Sequence, residues 1–104
     1  MPTQQQLDTF TLAFHETAME RLAARPELAQ RALQTLDRWR EQRGDTASDP
    51  YLKQWRNLLA GDLAALRQAV CANGSAAATL RNVSPLGFVL TPAERHGLRL
   101  RVMA

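Results

Sequence analysis

The chain has 104 residues, which fits one domain, and it carries a formal net charge of +3. Its single cysteine excludes an intramolecular disulfide, and no apolar run approaches the roughly 20 residues that span a bilayer. The N-terminus lacks the basic flank and apolar core of a signal peptide, so we expect a soluble, cytoplasmic protein. Because β-branched and aromatic residues are scarce, we predict one all-α domain over residues 1–104, a small bundle of four to six helices.

Thr3 and Gln6 form the pattern of a capping box at the start of a first helix. This helix is predicted to end near Ala24, because the residue before Pro26 avoids the helical region. Apolar residues recur at intervals of three and four, which places them on one helical face: Leu7, Phe10, Phe14, Ala18 and Leu22.

A second helix is predicted from Pro26, a favourable first residue, to Arg43, with Gly44 as its C-terminal stop. Glu27 and Arg31 are four residues apart on this helix and are expected to pair. Its apolar stripe consists of Leu28, Ala32, Leu33, Leu36 and Trp39.

Residues 44–49 form a polar loop, and Asp49-Pro50 restarts a third helix as cap and first residue. The apolar side chains of this helix are Tyr51, Leu52, Trp55, Leu58 and Leu59. At Gly61 the helix either ends, with Asp62 capping a fourth helix, or kinks and continues. We favour continuation, because one apolar series keeps its phase across the glycine: Leu59, Leu63, Leu66 and Val70.

Residues 73–75, Asn-Gly-Ser, are a turn signal, and Ser75 is predicted to cap a short helix from Ala76 to about Val83. Ser84-Pro85 then breaks the chain. Thr91-Pro92-Ala93-Glu94 combines a capping box with proline at the first helical position, which is the strongest helix start in the sequence.

The last residues allow two structures. The capping signal favours a helix from Pro92 to about Leu100, whereas residues 98–102 alternate between apolar and basic as a half-buried strand does. Gly97 would also weaken a helix by about 1 kcal/mol relative to alanine. We favour the helix, because the capping signal is specific and the alternation is short. A strand here would be able to extend a partner's sheet.

For two groups of apolar residues, the sequence allows either a position in the core or a position on the surface. Phe88, Val89 and Leu90 lie in a connection, where they either close over the core as a lid or form an exposed patch typical of an interaction site. The aromatic residues of the second and third helices, Trp39, Tyr51 and Trp55, present the same choice. Their helical periodicity favours packing in the core.

Residues with catalytic or metal-binding chemistry are few and scattered. His15 and His96 are the only histidines and Cys71 is the only cysteine, and no spacing matches a metal site or a catalytic dyad. We expect each histidine to be hydrogen-bonded or exposed, and Cys71 to be a small buried apolar residue. We predict no enzymatic activity, no cofactor and no metal.

Positive charge is concentrated near the C-terminus. Residues 1–24 contain one arginine against three acidic residues. Residues 76–104 contain one acidic residue, Glu94, and four arginines: Arg81, Arg95, Arg99 and Arg101. A basic segment can meet nucleic acid, an acidic protein or only water. We therefore treat residues 76–104 as a basic C-terminal interaction segment.

Two short helices with a basic second half resemble a helix-turn-helix. Residues 84–90 are longer and more apolar than the turn of about three or four residues in that motif. The second helix also offers no Asn or Gln to read bases. The arginines are compatible with contacts to DNA phosphates, so a small DNA-binding regulator is the alternative function.

Two stretches together resemble a family of small helical bacterial proteins from toxin–antitoxin-like gene pairs. They are LDRWREQRGDTASDPYLKQWRNLLAG at residues 36–61 and LRNVSPLGFVLTPAERHGLRLRV at residues 80–102. The family pattern has an aromatic residue after Glu-Arg, where this chain has His96-Gly97. The matching positions are Trp39, Tyr51, Trp55, Leu80-Arg81, Ser84-Pro85, Phe88 to Leu90 and Thr91 to Arg95.

The resemblance implies an antitoxin-like protein that neutralises a cognate, toxin-like protein by direct binding, and it implies no catalytic residue. A second copy of the chain is an alternative partner, and no membrane is expected. Arginine and aromatic side chains are enriched at the energetic centres of interfaces. We therefore predict that the partner contacts Arg81, Phe88, Arg95, Arg99 and Arg101.

Overall fold

A computed structural model of the chain describes residues 1, 3–44 and 49–103. These residues form six α-helices and no strand, which confirms the predicted all-α bundle. Most of the predicted polar loop, residues 45–48, lies outside the described residues. The helices are α1 (Gln4–Ala24), α2 (Glu27–Arg43), α3 (Asp49–Ala60), α4 (Leu63–Val70), α5 (Ser75–Asn82) and α6 (Pro92–Val102).

The central helix is α1, which contacts α2, α4, α5 and α6. Its predicted capping box is confirmed: the Gln6 N–H donates to Thr3 Oγ1 at 3.1 Å, and the Thr3 N–H donates to Gln6 Oε1 at 2.8 Å. The predicted apolar face is buried except near its start, where Leu7 is exposed and Phe10 is half-buried. The buried members of that face are Phe14, Ala18 and Leu22.

The start of α2 differs from the prediction in two ways. Pro26 is the N-cap and not the first helical residue, so the helix begins one residue later. Glu27 pairs with Arg25 at 3.0 Å and not with Arg31. The guanidinium of Arg31 instead lies over the ring of Phe88, 4.4 Å from its centroid. This contact connects α2 to the segment that precedes α6.

The chain divides at Gly61, so the prediction of a continuous helix is wrong. Asp62 begins α4 by accepting a hydrogen bond from the Ala65 N–H at 2.9 Å, as an N-cap does. The glycine adds no side-chain contact that would favour continuation. Periodicity could not separate the two structures, because the apolar series stays buried across the break at Leu59, Leu66 and Val70.

The two last helices start differently. Ser75 is the first residue of α5 and does not cap it; the N-cap is Gly74, whose φ of 104° favours glycine. The capping box of Thr91 and Glu94 is confirmed, and α6 continues from Pro92 through Val102. Residues 98–102 are therefore helical and not a strand.

The connection between α5 and α6 closes over the core, as the lid interpretation predicts. Pro85 and Leu86 are fully buried, and Val89 and Leu90 are also buried. Phe88 is half-buried and packs against the core from the surface. The segment thus supplies core contacts on its inner side and one aromatic ring on its outer side.

The largest fully buried side chain is Trp55 of α3. Its indole N–H donates to the carbonyl oxygen of Leu80 in α5 at 2.8 Å. Trp39 is half-buried and packs against the core, whereas Tyr51 is exposed, so the core position predicted from helical periodicity is wrong for Tyr51.

His15 of α1 is only 2% exposed, and its ring lies 6.1 Å from that of Trp55. Its Nδ1–H donates to the Thr11 carbonyl oxygen at 2.8 Å, whereas Nε2 has no partner among the described residues. Burial lowers the pKa of His15 to about 4, because the charged ring would lose its hydration. The expected hydrogen bond is therefore present at Nδ1, while Nε2 departs from the expectation of a satisfied side chain.

Trp55→Phe is expected to lower the free energy of unfolding by about 2–3 kcal/mol. The change removes the donor to the Leu80 carbonyl and leaves a small cavity. Trp39→Phe is the matched control, since this half-buried ring donates to no residue that the structure describes, and a change within about 0.5 kcal/mol is expected. Urea unfolding measures both; equal losses would contradict the role of the Trp55 hydrogen bond.

Stability is expected to fall as the pH decreases from 6.5 towards 4. In this range unfolded His15 binds a proton and folded His15, with its pKa near 4, does not. The full difference is about 3 kcal/mol and is reached only below pH 4. Urea unfolding of the wild type and of His15→Asn across this range isolates the effect as a difference in slope. A His15→Asn slope equal to that of the wild type would refute the assignment.

Candidate partner-binding surface

A surface groove brings together three of the five residues predicted to contact a partner. We call it the α6 groove; it lies between the connection that follows α5 and the first half of α6, and its volume is about 600 Å³. Its apolar lining includes Phe88, Leu90 and Pro92, and its polar lining includes Arg95, His96 and Arg99. An apolar depression next to arginines has the composition of an interface centre.

Arg95 fixes one wall of the α6 groove. Its Nη2–H donates to the carbonyl oxygen of Gly87 at 2.7 Å, and its guanidinium lies 5.2 Å from the ring centroid of Phe14. A cation over an aromatic ring is attracted by the ring quadrupole. Arg95 therefore holds the connecting segment against α6 and α1, while the residue as a whole stays exposed.

The ring of Phe88, which also lines the α6 groove, is likewise held in place by its neighbours. The Arg31 guanidinium covers its ring, and Val89 and Leu90 beside it are anchored in the core. The ring is thus held at the surface with part of its area accessible. An aromatic side chain that is already ordered loses little conformational entropy when a partner covers it.

Glu94 is the one acidic residue of the basic C-terminal segment, and it is engaged by Arg21 of α1. Both carboxylate oxygens accept from the guanidinium, with 3.2 Å between Arg21 Nη1 and Glu94 Oε1. Oε1 also accepts from the Thr91 N–H at 3.0 Å. These bonds, with that to Arg21 dominant, lower the pKa of Glu94 to about 2. The carboxylate therefore offsets the charge of Arg21 and leaves the groove arginines positive.

Arg99 and Arg101 occupy different sides of α6. Arg99 lines the α6 groove, is exposed, and forms no ion pair with the residues that the structure describes. At 100° per residue, Arg101 lies on the other side of buried Leu98 and does not line the groove. A partner in the groove would therefore contact Arg99 and not Arg101.

Arg81 is not a surface residue, which corrects its assignment to the partner-binding set. It is 7% exposed, and its Nη1 donates to the carbonyl oxygens of Val70 at 2.7 Å and Ala72 at 2.9 Å. The last carbonyls of a helix lack intrahelical partners and carry partial negative charge, so a cation stabilises the end of α4. The spacing from Ala77, four residues earlier on the buried face of α5, was a signal for this position.

The geometry departs from that of a helix-turn-helix. Residues 83–91 separate α5 from α6, which is longer than the turn of about three or four residues in that motif. Of the four arginines in residues 76–104, Arg81 is buried and Arg95 is bonded to Gly87. The two others point to different sides of α6. This arrangement gives a DNA-reading surface on α6 little support.

A second concave surface, which the sequence did not indicate, lies between α2 and α3. We call it the α2–α3 cleft; its volume is about 790 Å³. Its cationic side chains come from two helices, and their grouping depends on how the helices pack. They are Arg40, Arg43, Lys53 and Arg56, which line the cleft together with Trp39.

Reactive groups are sparse in the part of the chain that the structure describes. No group of three or more His, Cys, Asp or Glu residues there could hold a metal ion. Cys71 is half-buried, and burial raises the pKa of its thiol, which disfavours the reactive thiolate. None of the described helices has the length and apolar character needed to cross a membrane.

Comparison of the chain with known protein families, with curated proteins and with solved structures gave no match.

Arg81→Met is expected to lower the free energy of unfolding by about 2–3 kcal/mol, because hydrogen bonds from a charged donor are worth about 1.5–3 kcal/mol. The substitution keeps an unbranched apolar chain but leaves the carbonyls of Val70 and Ala72 without this donor. Arg101→Met, at an exposed arginine, should change stability by less than about 0.5 kcal/mol. Thermal and urea unfolding would disprove the structural role of Arg81 if both variants were equally stable.

Proposed function

We propose that the protein acts by binding another protein through the α6 groove, as the antitoxin-like member of a bacterial gene pair. The observation that carries this proposal is the half-exposed ring of Phe88, held beside Arg95 and Arg99 over buried apolar residues. Aromatic and arginine side chains dominate the binding energy of protein interfaces. The likeness of residues 36–61 and 80–102 to antitoxin-like proteins supports a toxin as the partner.

The charge of the groove favours an acidic partner segment. Arg95 and Arg99 line the groove, while the nearby Glu94 carboxylate is bonded to Arg21 and does not neutralise them. Opposite charges on the partner would steer the encounter and fix the orientation of the complex.

The interface should extend beyond the groove along α6. A stable complex buries about 800 Å² on each partner, more than a shallow groove provides. Leu100 is 60% exposed and lies one turn after His96, so it continues the accessible surface of the helix. We therefore expect the partner to cover the exposed side of α6 from Pro92 to Leu100.

Co-expression with the product of each adjacent gene, followed by co-purification and calorimetry, tests the proposal. Arg99→Glu should weaken the complex by about tenfold to a hundredfold, which corresponds to about 1.4–2.7 kcal/mol. Arg101→Glu is the matched control, because it makes the same charge change on the same helix outside the groove. Phe88→Ala should also weaken binding, with helix content and melting temperature measured in parallel.

Three outcomes would contradict the proposal. If neither neighbouring gene product formed a complex with the protein, the proposed cognate partner would not exist in the gene pair. An equal loss of partner affinity in Arg99→Glu and Arg101→Glu would place the contact outside the α6 groove. Sequence-specific DNA binding that survives competitor DNA, falls with rising salt and is lost in both variants would support the alternative, a DNA-binding regulator.

A further inference from the structure

The α2–α3 cleft gathers positive charge from two helices around one aromatic ring. Arg40 and Arg43 come from the last turns of α2, and Lys53 and Arg56 come from α3. Asp49 is the one acidic side chain among the described lining residues. The cleft is therefore a cationic concavity large enough for a small organic group, since ligand sites commonly have volumes of about 300–1,000 Å³.

Helix-end electrostatics explain only part of this grouping. Cations in the last turn of a helix complement its negative end, which accounts for Arg40 and Arg43. Lys53 and Arg56 lie in the interior of α3, where that reason does not apply. Arg56 pairs with Asp37 at 2.5 Å. Lys53 and Arg40 form no ion pair with any described residue, so the cleft retains cations that face solvent.

Flat surfaces accompany the charge. Trp39 is half-buried, and the guanidinium of Arg43 lies over its ring, 5.6 Å from the centroid. Nucleobases stack on aromatic rings and on guanidinium planes alike. Asn82 and Ser84 also line the cleft and supply side chains able to hydrogen-bond a base edge.

We propose that the α2–α3 cleft binds single-stranded nucleic acid. A base stacks against Trp39 and Arg43, and the flanking phosphates contact Arg40 and Lys53. A concave cleft admits an unpaired base. In a duplex, by contrast, the bases are stacked within the double helix and present only their edges in the grooves. This site is separate from the α6 groove and does not depend on the function proposed for that groove.

Tryptophan fluorescence reports on this site directly. The chain has two tryptophans; Trp55 is 0% exposed, and Trp39 lines the cleft. Titration of the full chain with an oligothymidylate of about ten nucleotides at low salt should quench Trp39. Trp39→Phe should remove the quenching and weaken binding by about tenfold, as expected for loss of one stacking contact. Binding is then followed by anisotropy of a labelled oligonucleotide.

Charge variants test the phosphate contacts. Arg40→Ala and Lys53→Ala should each weaken binding and reduce the slope of log K against log salt by about 0.7. Arg38→Ala is the matched control, because Arg38 is exposed on the same helix and does not line the cleft. Arg99→Ala, in the α6 groove, should weaken oligonucleotide binding no more than Arg38→Ala does, and so separates this site from the partner-binding surface.

The outcomes decide the proposal. Saturable quenching by the oligonucleotide, with weaker binding of a duplex of the same length and of thymidine monophosphate, supports a single-strand site. Tighter binding of the monophosphate would overturn it in favour of a mononucleotide pocket, and tighter binding of an equally charged phosphopeptide would overturn it in favour of a protein ligand. Absence of quenching at low salt, or equal loss in Arg38→Ala, Arg40→Ala and Lys53→Ala, would also overturn it.

Discussion

The position of α5 depends on two consecutive residues, and both surfaces depend on α5. The Leu80 carbonyl accepts the Trp55 N–H from α3, and Arg81 donates to two carbonyls at the end of α4. A helix of eight residues is not stable alone in water, so these tertiary bonds decide where α5 lies. Because the connection that carries Phe88 follows α5 directly, its course over the core starts from these two bonds.

The connection is held at its other end by residues that also begin α6. Glu94 completes the capping box with Thr91 and binds Arg21, so one carboxylate both starts α6 and attaches it to α1. The next residue, Arg95, reaches back to the Gly87 carbonyl. Removal of the Glu94 charge would therefore weaken both the start of α6 and its contact with α1. The position of Arg95 in the α6 groove depends on both.

Local sequence signals were enough to predict most of the fold, but they predicted little of the two surfaces. Capping boxes at Thr3 and Thr91 and the apolar periodicity determine helix starts and faces through contacts within a few residues. At Gly61 the same periodicity fitted two structures, so it could not decide between them. The burial of Arg81 and the α2–α3 cleft depend on which helices meet, and spacing along one helix does not contain that information.

The two surfaces share one segment of chain but are separated by its best-packed part. Val83 and Ser84 line the α2–α3 cleft, and Phe88 lines the α6 groove. Between them Pro85 and Leu86 are fully buried, and the Leu86 N–H donates to Ser84 Oγ at 3.1 Å. Close-packed side chains resist small displacements, so a ligand on one side cannot slide the segment towards the other. Coupling between two sites requires an element with two arrangements, and the burial of Pro85 and Leu86 disfavours a second arrangement of this turn. Occupation of either surface should therefore leave the other competent to bind.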